Sequence, residues 1–148
     1  MSNCRITRIG DRMQGFTLLE VLVAMLVLSI GLLGLAGLMA SSLKNSHSAY
    51  HRTQATWLAY DMLDRMRANR HVSLAGGYNL GLGASPGGSA LAATDLGEWD
   101  AALSNTLPEG DGSIAVDKDG AATIIVQWND ARGTGGAATQ QFRVDTQL

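Results

Sequence analysis

The sequence contains almost no cysteine, and this limits how the chain can be stabilised. One of its 148 residues is a cysteine, Cys4, and it precedes a long apolar stretch. A lone cysteine cannot form a disulfide within one chain, so the rest of the protein must be held together by packing. Beyond residue 4 there is also no cysteine that could act as a nucleophile.

Charged residues are few, and no strong basic excess is present. Eleven Lys and Arg stand against thirteen Asp and Glu, which gives a formal charge of −2. Residues 1–15, which precede the long apolar stretch, hold three arginines and one aspartate, so the rest of the chain has a formal charge of −4. Nucleic-acid binding depends on basic residues that neutralise phosphates. The mildly acidic balance therefore argues against a nucleic-acid partner.

Motifs that carry catalytic chemistry are missing. The sequence has no Walker loop, no nucleophile elbow and no HExxH motif. His47 and His51 share a helical face but have no acid placed beside them, so exposed or contact residues are the better interpretation. Asp117, Asp119 and Gly120 resemble part of a calcium loop without its glutamate, and a hairpin turn is favoured. We therefore expect no enzyme activity, no metal site and no cofactor.

The sequence does contain a long apolar run, from Phe16 to Ala40. A helix rises about 1.5 Å per residue, so this run is long enough to cross a hydrocarbon core of about 30 Å. A secretory signal peptide would have a shorter apolar core with a small-residue cleavage site after it. Here the small residue, Gly15, precedes the run. The run predicts a membrane-spanning helix over residues 16–40, with the basic segment before it in the cytoplasm.

Glu20 is the one charged residue inside this run. A carboxylate in hydrocarbon costs a few kcal/mol even near a helix end, so its presence requires an explanation. An ordinary single-span anchor fits the length of the run but gives no reason for the acid. A side chain that reaches the membrane interface is one explanation.

The order of residues at this boundary resembles the type III signal of the type IV pilin superfamily, which includes pilins and type II secretion pseudopilins. It consists of a leader with Arg5, Arg8, Asp11 and Arg12, then Gly15, Phe16, Thr17, two leucines, Glu20 and an apolar helix. The resemblance implies that residues 1–15 are a leader that prepilin peptidase removes between Gly15 and Phe16. Phe16 would then become an N-methylated N-terminus.

The resemblance also implies a role for Glu20, a set of partners and a location. Glu20 would pair with the Phe16 amine of a neighbouring subunit, because opposite charges attract strongly in a low-dielectric interior. Other minor pilins, pilus subunits and prepilin peptidase would be the partners. The chain would cross the inner membrane once with its head in the periplasm, and would later enter a pilus at the cell surface.

Three alternatives to a pilus subunit remain at this point. The nearest is a type II secretion pseudopilin, which resembles the same N-terminal segment. A DNA-binding competence pilin is disfavoured by the acidic head, and a membrane-anchored enzyme lacks residues for its chemistry.

Residues 41–70 predict an amphipathic continuation of the helix, because they contain no proline and no glycine. Apolar residues recur every seven positions at Leu43, Tyr50 and Trp57, and every four at Leu58, Met62 and Met66. Both spacings fit one face of a helix packed on a head. We expect one helix from about Phe16 to Asn69, with an Asp61–Arg65 ion pair on its surface.

Residues 71–97 predict a loop rich in Gly, Ser and Ala, in which Tyr78, Leu80 and Leu82 are the candidates for packing. A mobile loop and a loop ordered by partners both fit this composition. A short helix is predicted from Asp95 to Leu107, with Asp95 and Glu98 as a capping box. Its apolar face would carry Trp99, Leu103 and Leu107.

The last part of the sequence changes to a period of two, which is typical of strands. Ile114 and Val116 begin the pattern, Ala122, Ile124, Val126 and Trp128 continue it, and Phe142 and Val144 end it. Turns are predicted at 117–120 and 129–136. The head, residues 98–148, should therefore hold a short helix and about three antiparallel strands. The predicted class is α+β and pilin-like, a long N-terminal helix packed on a small antiparallel sheet, with all three tryptophans in the core.

Overall fold

A computed structural model describes residues 15–88, 90–133 and 135–148 of the chain. In chain order it contains α1 (Leu18–Ala68), α2 (Arg70–Leu74), α3 (Ala90–Thr106), β1 (Asp111–Val116), β2 (Ala121–Trp128) and β3 (Gln140–Gln147). The predicted α+β, pilin-like class is confirmed. The leader residues Cys4, Arg5, Arg8, Asp11 and Arg12 lie outside the described residues. The chain divides into two compact units, residues 1–39 and residues 40–148.

The described part of the first unit is the N-terminal portion of α1. The backbone N–H groups of Glu20 and Val21 donate to the Thr17 carbonyl, so the helix begins directly after Thr17. The most apolar 18-residue stretch of α1 buries none of its residues inside the protein. By length and composition α1 can cross a membrane.

In the second unit, α1 contributes one buried face to the core. Its buried residues follow helical spacing and include two small side chains: Ala55, Ala59, Met62, Leu63 and Met66. Leu58 packs against the same cluster and is partly buried. The prediction that Met62 and Met66 belong to the core is confirmed.

The prediction that Leu43, Tyr50 and Trp57 pack against the head is wrong. Their exposed fractions are 63%, 53% and 64%. At 3.6 residues per turn, these positions lie on the side of α1 opposite Ala59 and Met66. The buried face combines Met62, Leu63 and Met66 with Ala55 and Ala59, and the two small side chains let the helix backbone approach the other elements of a close-packed core.

Helix α3 begins at Ala90, five residues before the predicted start at Asp95. The residues before Asp95 are mostly alanine and leucine, which are strong helix formers and extend the helix upstream. Asp95 is therefore inside the helix, and its assignment as the N-cap is wrong. The predicted apolar face is confirmed, since Trp99, Leu103 and Leu107 are buried.

Trp99 fixes α3 against both α1 and the sheet. Its Nε1 donates a hydrogen bond of 2.9 Å to the Leu58 carbonyl of α1. On its other side, a Cβ added to Gly112 of β1 would lie 2.3 Å from Cη2 of Trp99. Glycine is required at residue 112 because the indole ring occupies the space of a side chain.

The sheet has the order β1-β2-β3, and both pairs are antiparallel. Ile124 in the central strand faces Ile114 on one side and Val144 on the other. As predicted, alternate residues of β2 enter the core: Ala122, Ile124, Val126 and Trp128 are all buried.

The turn between β1 and β2 is closed by Asp117, whose Oδ1 accepts hydrogen bonds from the backbone N–H groups of Asp119 and Ala121. The Oδ1 atom of Asp117 is therefore occupied by hydrogen bonds within the turn.

The segment after α1 is more ordered than its composition predicts. It begins with α2, and the next turn places Tyr78 in the core with none of its surface exposed. Leu80 forms an isolated antiparallel bridge with Ile114 at the edge of β1, while Leu82 is 44% exposed. The prediction that Tyr78 and Leu80 pack this segment onto the head is confirmed, whereas the same prediction for Leu82 is wrong.

Candidate functional site

The predicted cleavage junction lies directly ahead of α1. The Phe16 side chain is 83% exposed. A Cβ added to Gly15 would meet no atom within 4 Å among the described residues. The described part of the chain therefore places no obstacle around the Gly15–Phe16 bond.

Glu20 lies in the first turn of α1, one turn from Phe16. Its side chain is exposed, and the described residues offer it no ion-pair partner. The carboxylate is thus available to a cation from outside the described chain.

Thr17 gives Glu20 a local role that the sequence analysis missed. The Thr17 Oγ1 accepts a hydrogen bond of 3.2 Å from the Glu20 N–H. A threonine followed three residues later by glutamate is the signature of a capping box, so the signal was present in the sequence. A carboxylate in the first turn also interacts favourably with the helix dipole. Glu20 therefore suits the start of α1 independently of any partner.

The exposed apolar residues of upper α1 form a second candidate site, which we name the outer stripe: Leu43, Tyr50, Trp57 and Tyr60. Tyr60 is 50% exposed and lies one turn after Trp57. Exposed apolar patches mark interaction sites, and Trp and Tyr dominate the binding energy of many protein interfaces. The outer stripe is therefore a candidate contact surface. The seven-residue repeat of Leu43, Tyr50 and Trp57 predicts an apolar face of the helix, but it does not indicate whether that face packs on the head or is exposed.

Arg65 links α1 to α3 and fixes the loop between them. Its Nε donates to Asp61 at 3.0 Å, which confirms the predicted ion pair, and its Nη1 donates to Asp95 at 3.3 Å and Glu98 at 2.7 Å. The hydrogen bond to Glu98 is the main cause that raises the pKa of Arg65 above its usual range. Burial and the hydrogen bond that the Tyr78 hydroxyl donates to Asp95 raise the pKa of Tyr78. These groups are paired with one another, so they stabilise the head.

A cavity of about 480 Å³, which we name the helix–loop cavity, lies between α1 and the loops that follow α3 and β2. Asp130 in the second loop is 4% exposed, and its Oδ2 accepts a hydrogen bond from the Ser48 hydroxyl of α1 at 2.5 Å. The loop folds closely around this aspartate, since a Cβ on Gly136 would lie 1.8 Å from the Asp130 carbonyl oxygen. Asp130 therefore holds the loop against α1 and shapes one wall of the cavity.

His47 and His51 both line the helix–loop cavity. His47 is exposed and His51 is partly buried. In the part of the chain that the structure describes, no group of three His, Cys, Asp or Glu side chains is placed to hold a metal ion. The two histidines are therefore polar residues of a cavity wall, a placement that depends on loops about 60 to 80 residues away in sequence and is not visible in the helix pattern.

Comparison with known proteins identifies the N-terminal segment. Residues 11–36 match the prokaryotic N-terminal methylation motif, a range that includes Gly15, Phe16 and Glu20. No curated protein and no solved structure matches the chain significantly. The motif indicates a type IV pilin-like or pseudopilin-like protein, a class that is structural rather than catalytic.

Proposed function

We propose that the chain is a minor pilin of a type IV pilus. The methylation motif at residues 11–36 carries this proposal, together with the long apolar portion of α1 that follows it. Prepilin peptidase cuts between Gly15 and Phe16, and Phe16 is N-methylated. Residues 16–40 hold the chain in the inner membrane with the head in the periplasm until the subunit enters a pilus.

Glu20 acts in assembly under this proposal. It pairs with the Phe16 amine of a neighbouring pilin and so fixes the position of the two subunits relative to each other. Its exposed carboxylate, without an ion-pair partner among the described residues, supports this role. An isolated charge in a low-dielectric environment is costly, and pairing removes that cost.

Within the minor pilins, we infer that the chain corresponds to PilV, the type IV pilus modification protein. The segment Leu58–Arg70 resembles the equivalent segment of PilV, as does the later run of Trp99, Leu103, Leu107 and Pro108. The chain would act with other minor pilins to start pilus polymerisation and would support twitching motility and adhesion. These two segments supply core residues of the head, including Met62 and Trp99.

The second candidate function is that of a minor pseudopilin in type II secretion. The methylation motif favours it equally, because pilins and pseudopilins share this N-terminal signal. The two functions differ in what is lost when the chain is absent. A pilin is required for surface fibres, and a pseudopilin is required for the export of folded proteins.

Deletion of the gene in its own organism separates the two functions. We expect the deletion strain to lose most surface pili and twitching motility, with both restored by the wild-type gene in trans. Export of type II secretion substrates should stay normal. Lost export with normal piliation would contradict the pilus assignment and favour the pseudopilin.

A further inference from the structure

The two edges of the sheet differ in how their backbone groups are used. Three N–H groups at the outer edge of β1 already have acceptors inside the head: Gly112 donates to Asp111 Oδ1 at 2.7 Å, Ile114 to the Leu80 carbonyl at 2.8 Å, and Val116 to Asn79 Oδ1 at 2.8 Å. Leu80 also donates to the Ile114 carbonyl at 2.9 Å. A further strand would have to displace these hydrogen bonds, so this edge is closed.

The outer edge of β3 is open. The Leu148 N–H donates to the Gly120 carbonyl at 2.9 Å, and these two residues continue the register between β2 and β3. Backbone groups in an antiparallel pair alternate between the partner strand and the outer side. Even-numbered residues of β3 therefore direct their N–H and C=O groups to β2, and four odd-numbered residues direct theirs outward: Gln141, Arg143, Asp145 and Gln147. Within the described residues, these four N–H groups have no acceptor.

β3 also lacks the features that usually protect an edge strand. It contains no proline, glycine or lysine, and its register with β2 runs through all 8 residues without a bulge. An unprotected edge is a template for another strand. When a protein uses such an edge for recognition, backbone hydrogen bonds give the affinity and alternate side chains give the specificity. The side chains of β3 therefore indicate which strand fits.

The exposed side chains of β3 include one base and one acid, two residues apart. Arg143 Nη2 donates to Asp145 Oδ1 at 2.8 Å, and Arg143 Nε donates to Asp145 Oδ2 at 2.8 Å. Arg143 Nη1 has no acceptor in the part of the chain that the structure describes, so it is available to a second carboxylate. Opposite charges directly across a strand pair are favourable, and like charges are unfavourable. A strand beside β3 should therefore carry an acid opposite Arg143 and a base opposite Asp145.

Val144 lies between the two charged residues, on the other face of the strand. Val144 and Phe142 pack against the core but are only partly buried. An apolar residue opposite Val144 would cover apolar surface that the head leaves exposed. In an antiparallel pairing, the complementary segment therefore reads basic, apolar, acidic.

We propose that the outer edge of β3 binds an extended segment of another protein, which adds a fourth strand antiparallel to β3 and has the order basic, apolar, acidic at its centre. A second copy of the chain has this order in its own β3, but its geometry does not suit a shared membrane. Pairing of two β3 strands would relate the heads by a two-fold axis normal to the sheet. Such an axis reverses the direction of the part of α1 that packs along the core, whereas two copies anchored in one membrane, as in the proposed function, must run the same way.

The test measures the binding of fluorescent octapeptides to the full chain purified in detergent. The probe peptide is QQFRVDTQ, the sequence of β3 itself, which as a free peptide lacks α1. We expect the wild type to bind the probe about tenfold more tightly than the exchanged peptide QQFDVRTQ, and Arg143→Asp/Asp145→Arg to reverse this preference. The matched control is Asp64→Arg/Arg67→Asp, which exchanges the charges of an exposed ion pair on α1 and should keep the wild-type preference. A probe with N-methylated arginine and aspartate, which lacks the N–H groups that face the edge, should not bind.

Four results would overturn the strand-binding edge. They are no binding of the probe, equal binding of the two peptides by the wild type, the same preference in Arg143→Asp/Asp145→Arg as in the wild type, and full binding of the N-methylated probe. Dimers of the purified chain that the probe dissociates would contradict a partner strand and assign the edge to a second copy. Peptide binding in detergent does not depend on processing or membrane insertion. A negative result therefore leaves the pilin function intact, whereas a chain that does not fractionate with the inner membrane contradicts that function and leaves the peptide result unchanged.

Discussion

Replacement of Glu20 with glutamine is expected to abolish the recruitment of other minor pilins while leaving processing intact. The substitution keeps the shape of the side chain and removes its charge, so membrane insertion should become slightly easier. Cleavage should persist because the cut precedes residue 16. The Phe16 amine of the partner would lose its counter-charge, and an unpaired charge in a low-dielectric site costs about 3–5 kcal/mol. This cost corresponds to association weakened by more than about a hundredfold.

Thr17→Ala is the matched control for this substitution. Glutamine can replace glutamate in a capping box, so Glu20→Gln should leave the start of α1 intact. Thr17→Ala does the opposite, because it removes the Oγ1 that accepts from the Glu20 N–H and leaves the carboxylate in place. Loss of such a cap costs about 0.5–2 kcal/mol of local helix stability. We expect Thr17→Ala to recruit partners almost normally.

Co-purification of tagged variants with other minor pilins, together with counts of surface pili, measures both effects. Normal recruitment and piliation by processed Glu20→Gln at wild-type levels would rule out an assembly role for the charge. Equal loss in Thr17→Ala and Glu20→Gln would show that helix capping, and not ion pairing, explains why the acid is there.

Met62→Ala is expected to lower the free energy of unfolding of the head by about 2–5 kcal/mol. Met62 is fully buried in the cluster that joins α1, α3 and the sheet. Its removal takes away apolar contacts and leaves a cavity that the neighbouring elements can fill only in part. Thermal melting of the full chain in detergent, followed by tryptophan fluorescence, measures this loss.

Trp57→Ala is the control, although it removes a larger side chain. Trp57 lies in the outer stripe and is 64% exposed, so its removal should change the free energy of unfolding by no more than about 0.5 kcal/mol. A Trp57→Ala variant as unstable as Met62→Ala would contradict the assignment of the core face. A stable Trp57→Ala variant that no longer recruits other pilins would assign the outer stripe to assembly.

The sequence predicted the fold well where a single hydrophobic pattern determines which residues are buried or which segment can span a membrane. The alternation of Ala122, Ile124, Val126 and Trp128 has the period of a strand with one buried face, and all four are buried. The apolar run from Phe16 is long enough to span a membrane by composition alone. The spacing of Trp99, Leu103 and Leu107 likewise determined which side of α3 is buried.

The core face of α1 was predicted only in part, at Met62 and Met66, because two apolar patterns run along the same helix. Large residues at Leu43, Tyr50 and Trp57 give the stronger hydrophobic signal, yet the core is reached through Ala55 and Ala59. Alanine contributes little to a hydrophobic pattern. It favours packing because its small side chain lets the helix backbone lie close to a neighbouring element, and this depends on the shape of that element's surface. An exposed stripe for other chains and a buried face for the head therefore look alike in sequence.

The helix–loop cavity could not be predicted from the sequence either. Its walls come from α1 and from loops near residues 108 and 130, and which loop meets which turn of the helix is set by the whole head. The ionic cluster around Arg65 was predictable in part. Asp61 follows from helix spacing, whereas Asp95 and Glu98 reach Arg65 because α3 packs on α1.

The mass of the chain recovered from membranes tests the central claim most directly. If the chain is a processed pilin, intact-mass and N-terminal peptide analysis should find a protein that begins at Phe16 and carries one methyl group on its amine. The same analysis in a strain without prepilin peptidase should find residues 1–15 still attached. A mature chain that retains Arg12 in the presence of the peptidase would contradict the assignment to the pilin class.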